Sequence, residues 1–164
     1  MEAALRFLEP RARSTAEVRR RLTAAGYRSE LVDTAVGRLA ELGILDDVAF
    51  AREWVRSRDR AHPRGTRALA SELRAKGIAD DTIRTVLGER DGDDVDGMGQ
   101  EEDAARRLLE RKAAFLRRSG ETRQVRQRAY ALLVRNGFSS EIAWRMAGAS
   151  VALATDVAEE PDPV

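Results

Sequence analysis

Cysteine is absent from the 164 residues, which excludes disulfides and thiolate chemistry, and a single histidine, His62, cannot assemble the usual zinc ligand sets. No apolar run approaches the roughly 20 residues that span a bilayer. The start Met1-Glu2-Ala3-Ala4-Leu5-Arg6 lacks the apolar stretch of a signal peptide, so the expectation is a cytoplasmic protein without a membrane partner. Lysine is nearly missing: of 29 basic residues only Lys76 and Lys112 are lysines. Coding bias accounts for that skew more readily than selection for contacts, although guanidinium does favour phosphate and carboxylate.

A net charge of +1 conceals an uneven distribution. Residues 1–87 carry 17 basic and 13 acidic side chains (+4), 88–103 carry 1 and 8 (−7), 104–150 carry 11 and 3 (+8), and 151–164 carry 0 and 4 (−4). The chain therefore alternates basic blocks with acidic ones.

β structure has little support, because apolar residues recur at three and four spacing among Ala, Leu, Arg and Glu. Ser14-Thr15-Ala16-Glu17 is a capping box, in which the Ser14 hydroxyl and the Glu17 carboxylate each satisfy an orphan backbone N–H. Val18, Leu22 and Ala25 form the buried stripe that follows. Gly26 then stops the helix in a left-handed conformation, with Tyr27 as its apolar plug.

The same punctuation recurs twice. Leu22-x-x-x-Gly26-Tyr27-x-Ser29-Glu30 aligns with Leu73-x-x-x-Gly77-Ile78-x-Asp80-Asp81 and with Leu133-x-x-x-Gly137-Phe138-x-Ser140-Glu141. The glycines lie 77−26 = 51 and 137−77 = 60 residues apart. One further helix belongs to each unit: Ala3 to Leu8, Asp47 to Arg58, and Asp103 to Arg117. Asp46-Asp47 and Glu101-Glu102-Asp103 place carboxylates at the positive starts of the latter two. The fold class is accordingly all-α: three tandem three-helix, helix-turn-helix-like repeats forming an elongated curved array. Its expected boundaries are 1–44, 45–90 and 102–149, with a flexible acidic linker over 91–101 and a disordered acidic tail over 150–164.

Arg13-Ser14-x-x-Glu17-Val18, Leu42-Gly43-Ile44-Leu45-Asp46-Asp47-Val48-Ala49-Phe50-Ala51, Arg64-Gly65 and Glu72-Leu73-x-x-Lys76-Gly77-Ile78, in this order and spacing, resemble the RecX family of recombinase regulators. The third unit resembles it through Ala104-Ala105, Leu108-Leu109, Lys112 and Arg135-Asn136-Gly137-Phe138. The resemblance implies a regulator that binds the RecA nucleoprotein filament, lies along its helical groove, and restrains ATP hydrolysis, strand exchange and the coprotease activity that triggers the SOS response. The sequence departs from the family pattern in a longer acidic segment at 88–103. It also carries Ala25 where a basic residue is common and where Lys76 stands in the second unit.

No nucleophile, metal or phosphate-loop constellation is present, so neither catalysis nor a cofactor is expected. Asp46-Asp47 reads as a helix start rather than a magnesium site, and His62 as a loop residue. The run 91–97 lacks the register of a calcium loop, and Tyr27, Phe50, Trp54, Phe138 and Trp144 read as core rather than base-stacking platforms. The candidate contact residues are two arginine clusters: Arg11, Arg13, Arg19, Arg20 and Arg21 in the first unit, and Arg117, Arg118, Arg123, Arg126 and Arg128 in the third. They either meet the phosphates of single-stranded DNA within the filament or acidic patches on the recombinase, or they form a solvated face. A stand-alone, non-specific DNA-binding array is the alternative function. Sequence-specific readout is disfavoured because helices starting at Glu30, Asp81 and Glu141 continue mostly apolar. No long heptad seam is present, so a monomer is expected.

Overall fold

The computed structural model describes residues 2–8, 11–92, 99–118 and 122–155. Among these there are nine helices and no strand: α1 (Glu2–Leu8), α2 (Thr15–Ala24), α3 (Ser29–Glu41), α4 (Asp47–Ala61), α5 (Thr66–Ala75), α6 (Asp80–Gly92), α7 (Gln100–Arg117), α8 (Thr122–Arg135) and α9 (Ser140–Thr155). The helices fall into two compact units, one of residues 1–56 and 70–88, the other of 57–69 and 89–164.

Two boundaries differ from expectation. Helix α6 runs through Gly92 and α7 begins at Gln100, so both ends of the segment read as a linker are helical, and residues 93–98 lie outside the described residues. Helix α9 continues to Thr155, past the expected start of the acidic tail, whose residues 156–164 also lie outside them.

The first unit starts from the predicted capping box. The Ser14 hydroxyl accepts the Glu17 N–H at 3.1 Å and the Glu17 carboxylate accepts the Ser14 N–H at 3.2 Å. Val18 and Leu22 of α2 then meet Val32, Val36 and Leu39 of α3, with Ala4 and Leu45 completing the core. Gly26 ends α2 at φ +85°, and the Tyr27 N–H returns to the Leu22 carbonyl, the 6→1 bond of a Schellman stop. Ile78 and Phe138 make the same bond to Leu73 and Leu133 after Gly77 and Gly137. A fourth stop, Gly43 at φ +68° with Ile44 N–H on the Leu39 carbonyl, closes α3.

The stop at Gly77 is also a joint, because α2 begins against it. The Ser14 hydroxyl donates to the Lys76 carbonyl at 2.6 Å, and a Cβ on Gly77 would collide with the Ala16 methyl. The Lys76 ammonium meets the Glu17 carboxylate at 2.7 Å and lies over the Trp54 ring. Burial alone would raise the Glu17 carboxyl. The Lys76 hydrogen bond, the Ser14 amide and the charges of Lys76 and Arg13 together outweigh it and hold the group below its ordinary value of 4.5. A carboxyl lowered by folding stabilises the fold above the unfolded value, and that contribution disappears as pH falls through the folded one. Urea titrations between pH 6 and 3 are therefore expected to show a steeper loss of stability below pH 4.5 in the native chain than in Glu17→Gln.

The second unit repeats the joint one repeat later. Helices α7, α8 and α9 pack on one another around Ala105, Leu109, Ala129, Leu133, Phe138 and Ala143, and α5 begins against the Gly137 stop. The Gly65 N–H donates to the Asn136 carbonyl at 3.0 Å and the Arg67 N–H to the Gly137 carbonyl at 3.2 Å. Glycine is required at 65 by this approach, since a Cβ there would meet the Gly137 carbonyl and the Phe138 nitrogen.

The acidic helix starts do more than complement their own dipoles. Asp46 caps its own helix by accepting the Val48 and Ala49 N–H groups, both at 2.9 Å. Asp47 instead reaches α2, accepting the Thr15 N–H at 2.8 Å. Glu101 does the same for α5, taking the Thr66 N–H at 2.8 Å and its hydroxyl at 2.7 Å. An acid from the first helix of one repeat thus satisfies the orphan amides of the repeat before it.

Candidate functional site

The two arginine clusters are built differently. In the first unit the side chains are largely occupied internally. Arg13 lies over the Phe7 ring at 4.4 Å and Arg21 over the same ring at 5.9 Å. Arg19 pairs with Asp33, and the Arg20 Nε donates to the Ala16 carbonyl at 3.3 Å. Arg11 is exposed. Arg19 and Arg20 have already spent donors on these partners, and stacking on Phe7 holds the Arg13 and Arg21 guanidiniums in place.

In the second unit three arginines of the cluster are open. Arg118, Arg123 and Arg128 are exposed, and none has an acidic partner within 4 Å among the described residues. Arg126 is turned inward, its guanidinium 4.1 Å from the centre of the Trp144 ring. Arg117 is the last residue of α7, and its side chain lies outside the described residues. Arg128 lines a cleft of about 570 Å³ between α7 and α8, with Phe115, Gln124, Gln127, Ala131 and Arg135. Phe115 is 52% exposed on its rim.

Sequence reasoning missed Phe115 and Arg135. The signal was available: Gln124, Arg128, Ala131 and Arg135 follow one another at steps of four, three and four, which is one face of a helix. Grouping arginines by density along the chain, rather than by face, hid it. Chemically the cleft offers an aromatic edge beside two guanidiniums, Arg128 and Arg135, that have no acidic partner among the described residues. That arrangement suits a phosphate backbone with a stacked base, or an acidic protein surface with an apolar side chain.

The aromatic residues also divide. Phe50 and Phe138 are buried as expected. Trp54 is half-buried, its indole N–H donating to Glu72 at 2.9 Å. Tyr27 and Trp144 correct the core reading, at 47% and 60% exposed. Tyr27 follows a glycine stop and Trp144 sits at an apolar helical phase, but no neighbour among the described residues covers them fully. Trp144 instead serves as the platform for Arg126 and meets Tyr130 edge-on at 6.2 Å.

His62 is an exposed residue at the end of α4, its backbone N–H returning to the Arg58 carbonyl. Among the described residues no three His, Asp or Glu side chains converge as a metal site, and no helix is long and apolar enough to cross a membrane.

Comparison with known proteins matches this architecture. Models described as the first, second and third three-helix domains of RecX match residues 1–39, 46–87 and 100–146. "Regulatory protein RecX" of Mycobacterium sp. (strain JLS) is 39% identical over 142 residues, covering 85% of this chain and 74% of that protein. Its namesake in Mycobacterium tuberculosis (strain ATCC 25177 / H37Ra) is 37% identical over 151 residues, covering 90% and 83%. The crystal structure of RecX from Lactobacillus salivarius has the same fold, with a TM-score of 0.77 at 22% identity over 93% of this chain and 94% of that one. The chain belongs to the RecX family of regulatory proteins.

Proposed function

We propose that this chain regulates RecA by binding its nucleoprotein filament in the helical groove, and that it restrains ATP hydrolysis, strand exchange and SOS coprotease activity as a cytoplasmic binding protein rather than as an enzyme. Family membership supports the partner. The observation that carries the contact surface is the α7–α8 cleft, where Arg128 and Arg135 flank an exposed Phe115 with no acidic side chain pairing them among the described residues. Open guanidiniums beside an aromatic edge fit either the phosphates and bases of the DNA in the filament or an acidic recombinase surface.

The test is the DNA-dependent ATPase rate of preformed RecA filaments as the protein is titrated in. Inhibition is expected with the native chain. The pair Arg128→Glu and Arg135→Glu is expected to need higher protein concentrations for the same inhibition and to reduce the log–log salt slope of binding by about 1 per residue. Its thermal unfolding should stay unchanged, because both side chains are exposed. Absence of inhibition by the native protein would overturn the regulator reading.

The second reading, a stand-alone DNA-binding array, is favoured by Phe115 itself, since a base-stacking edge is sequence-tolerant. Equal affinity for naked and RecA-coated single-stranded DNA would support it. Tighter binding to the coated form supports the first.

A further inference from the structure

Helix α8 differs in charge from every other described helix. Among the nine it alone carries no acidic side chain, while holding four arginines, Arg123, Arg126, Arg128 and Arg135. On α1, α3, α4 and α7 an arginine pairs with an acid of its own helix: Arg6 with Glu2, Arg38 with Glu41, Arg56 with Glu53 and Arg106 with Glu110. Helix α8 has no such neutralisation, and like charges left together on one element repel.

The repeat itself does not ask for those charges. Arg128 stands nine residues before the Gly137 stop, where the first two repeats have Glu17 and Ala68, and Arg135 stands two before it, where they have Ala24 and Ala75. Glu17 and Ala68 each belong to a joint, Glu17 through Lys76 and Ala68 against Gly137. Arg128 and Arg135 are exposed and make no ion pair among the described residues. Their charge is thus left for a ligand.

The cleft they line is ordered. Arg128 and Arg135 are seven residues apart on α8, about 10 Å along its axis, and Phe115 stands half-exposed on the α7 wall. Gln124 and Gln127 add amides, and no lining residue is acidic. Two cations and a ring are the complement of two phosphates and a base. A surface of carboxylates would satisfy the guanidiniums but supply no flat partner for the ring, and a duplex keeps its base faces stacked inside. An unpaired strand presents both groups in alternation.

We infer that the α7–α8 cleft is a subsite for single-stranded nucleic acid, in which one base stacks on Phe115 and the phosphates on either side of it meet Arg128 and Arg135. Every base has a π-face, so the subsite holds a strand without reading its sequence. This inference rests on the cleft being the contact surface of the function proposed above, and narrows its occupant from two chemistries to one.

The experiment uses the full chain and a single-stranded thymidine oligomer of about 12 nucleotides, within the span of single-strand sites, carrying one 5-iodouracil. Irradiation is expected to cross-link the iodouracil to Phe115, mapped by mass spectrometry. Phe115→Ala should bind the oligomer at least about fivefold more weakly, the loss of one base stack. Phe115→Trp should restore native affinity, and neither variant should change binding to a blunt duplex of the same length. Unfolding temperatures should match the native one, because the ring is half-exposed. Cross-links at Trp144 or Tyr27 instead, or native affinity in Phe115→Ala, overturn the subsite. It is also overturned if the pair Arg128→Gln and Arg135→Gln weakens inhibition of the RecA ATPase yet binds the oligomer as the native chain does. That result assigns the cleft to an acidic recombinase surface and leaves the regulator reading standing. Cross-linking at Phe115 by a chain that does not inhibit RecA means the reverse: the regulator reading falls and the subsite stays.

Discussion

Replacing Arg90 by methionine is expected to lower the stability of the second unit by about 3–5 kcal/mol, the cost of stranding one member of a buried ion pair. The Arg90 side chain is 2% exposed and grips Asp59, itself 13% exposed, through two bonds: Nη2 to Oδ1 at 2.8 Å and Nε to Oδ2 at 3.1 Å. Its remaining donors reach the Arg64 carbonyl at 3.1 Å and the Thr66 hydroxyl at 3.3 Å. Thr66 in turn is held by Glu101. One guanidinium thereby ties the last turn of α6 to α4 and to the start of α5.

Burial pushes the Asp59 carboxyl above its ordinary value of 3.8, against the pull of Arg90. Without Arg90 that opposing attraction is gone, so the carboxyl should rise further. A carboxyl raised by folding binds its proton more tightly in the native state, so stability falls as pH rises from the unfolded value through the folded one. The Arg90→Met variant should therefore be less damaged at pH 4.5 than at pH 7. Urea unfolding followed by circular dichroism at the two pH values checks this. The double variant Asp59→Leu and Arg90→Met should recover most of the loss, because two apolar groups need no compensation. Equal destabilisation in the single and double variants would show that the hydrogen bonds to Arg64 and Thr66, rather than the stranded charge, set the cost.

Arg90 also explains one limit of the sequence. Asp91 and Gly92 read as the start of the linker because glycine and aspartate are weak helix formers, yet α6 runs to Gly92 with Arg90 anchored in its last turn. Tertiary contact overrides propensity there. What was legible was local: the Ser14 capping box, the three aligned glycine stops and the buried Val18 and Leu22 of α2 each depend on residues within about one turn of one another, whereas Ala25, expected in the same stripe, is the exposed C-cap of that helix. The stop at Gly43 followed the same Leu-x-x-x-Gly-apolar pattern and was equally readable.

The acid starts were legible as helix starts but not as cross-links, since Asp47 serves Thr15 and Glu101 serves Thr66 across 32 and 35 residues. The arginine clusters were visible by composition alone. Their difference, mostly stacked or paired in the first unit but with Arg118, Arg123 and Arg128 open in the second, depends on which neighbours fold beside them. The family's three-domain division was legible too, but the compact units cut through α4, α5 and α6, where helices begun in one repeat serve the joint of the next.

The joints themselves predict the second large effect. Alanine at Gly26, Gly77 and Gly137 introduces the same left-handed strain, about 1–2 kcal/mol, because all three glycines have φ between +81° and +85°. Only the latter two add a collision. At Gly77 the new Cβ meets the Ala16 methyl, while the next nearest described atom, the Ala16 Cα, stands at 3.9 Å. At Gly137 it meets both the Ala68 methyl and the Ala68 backbone nitrogen. A clash with backbone cannot be relieved by a side-chain shift, so the joint must open and release the Gly65 and Arg67 hydrogen bonds. With overpacking worth about 1–3 kcal/mol, the expected order of destabilisation is Gly26→Ala, then Gly77→Ala, then Gly137→Ala, measured by chemical denaturation. Second-site glycines separate the causes. Ala16→Gly should rescue most of the excess at Gly77→Ala, giving a coupling energy above about 1 kcal/mol in a double-mutant cycle. Ala68→Gly should rescue Gly137→Ala only in part, since the backbone nitrogen remains in place. Equal losses at all three glycines would mean that the stops matter for their φ alone and that the helix starts docked on them contribute nothing to the fold.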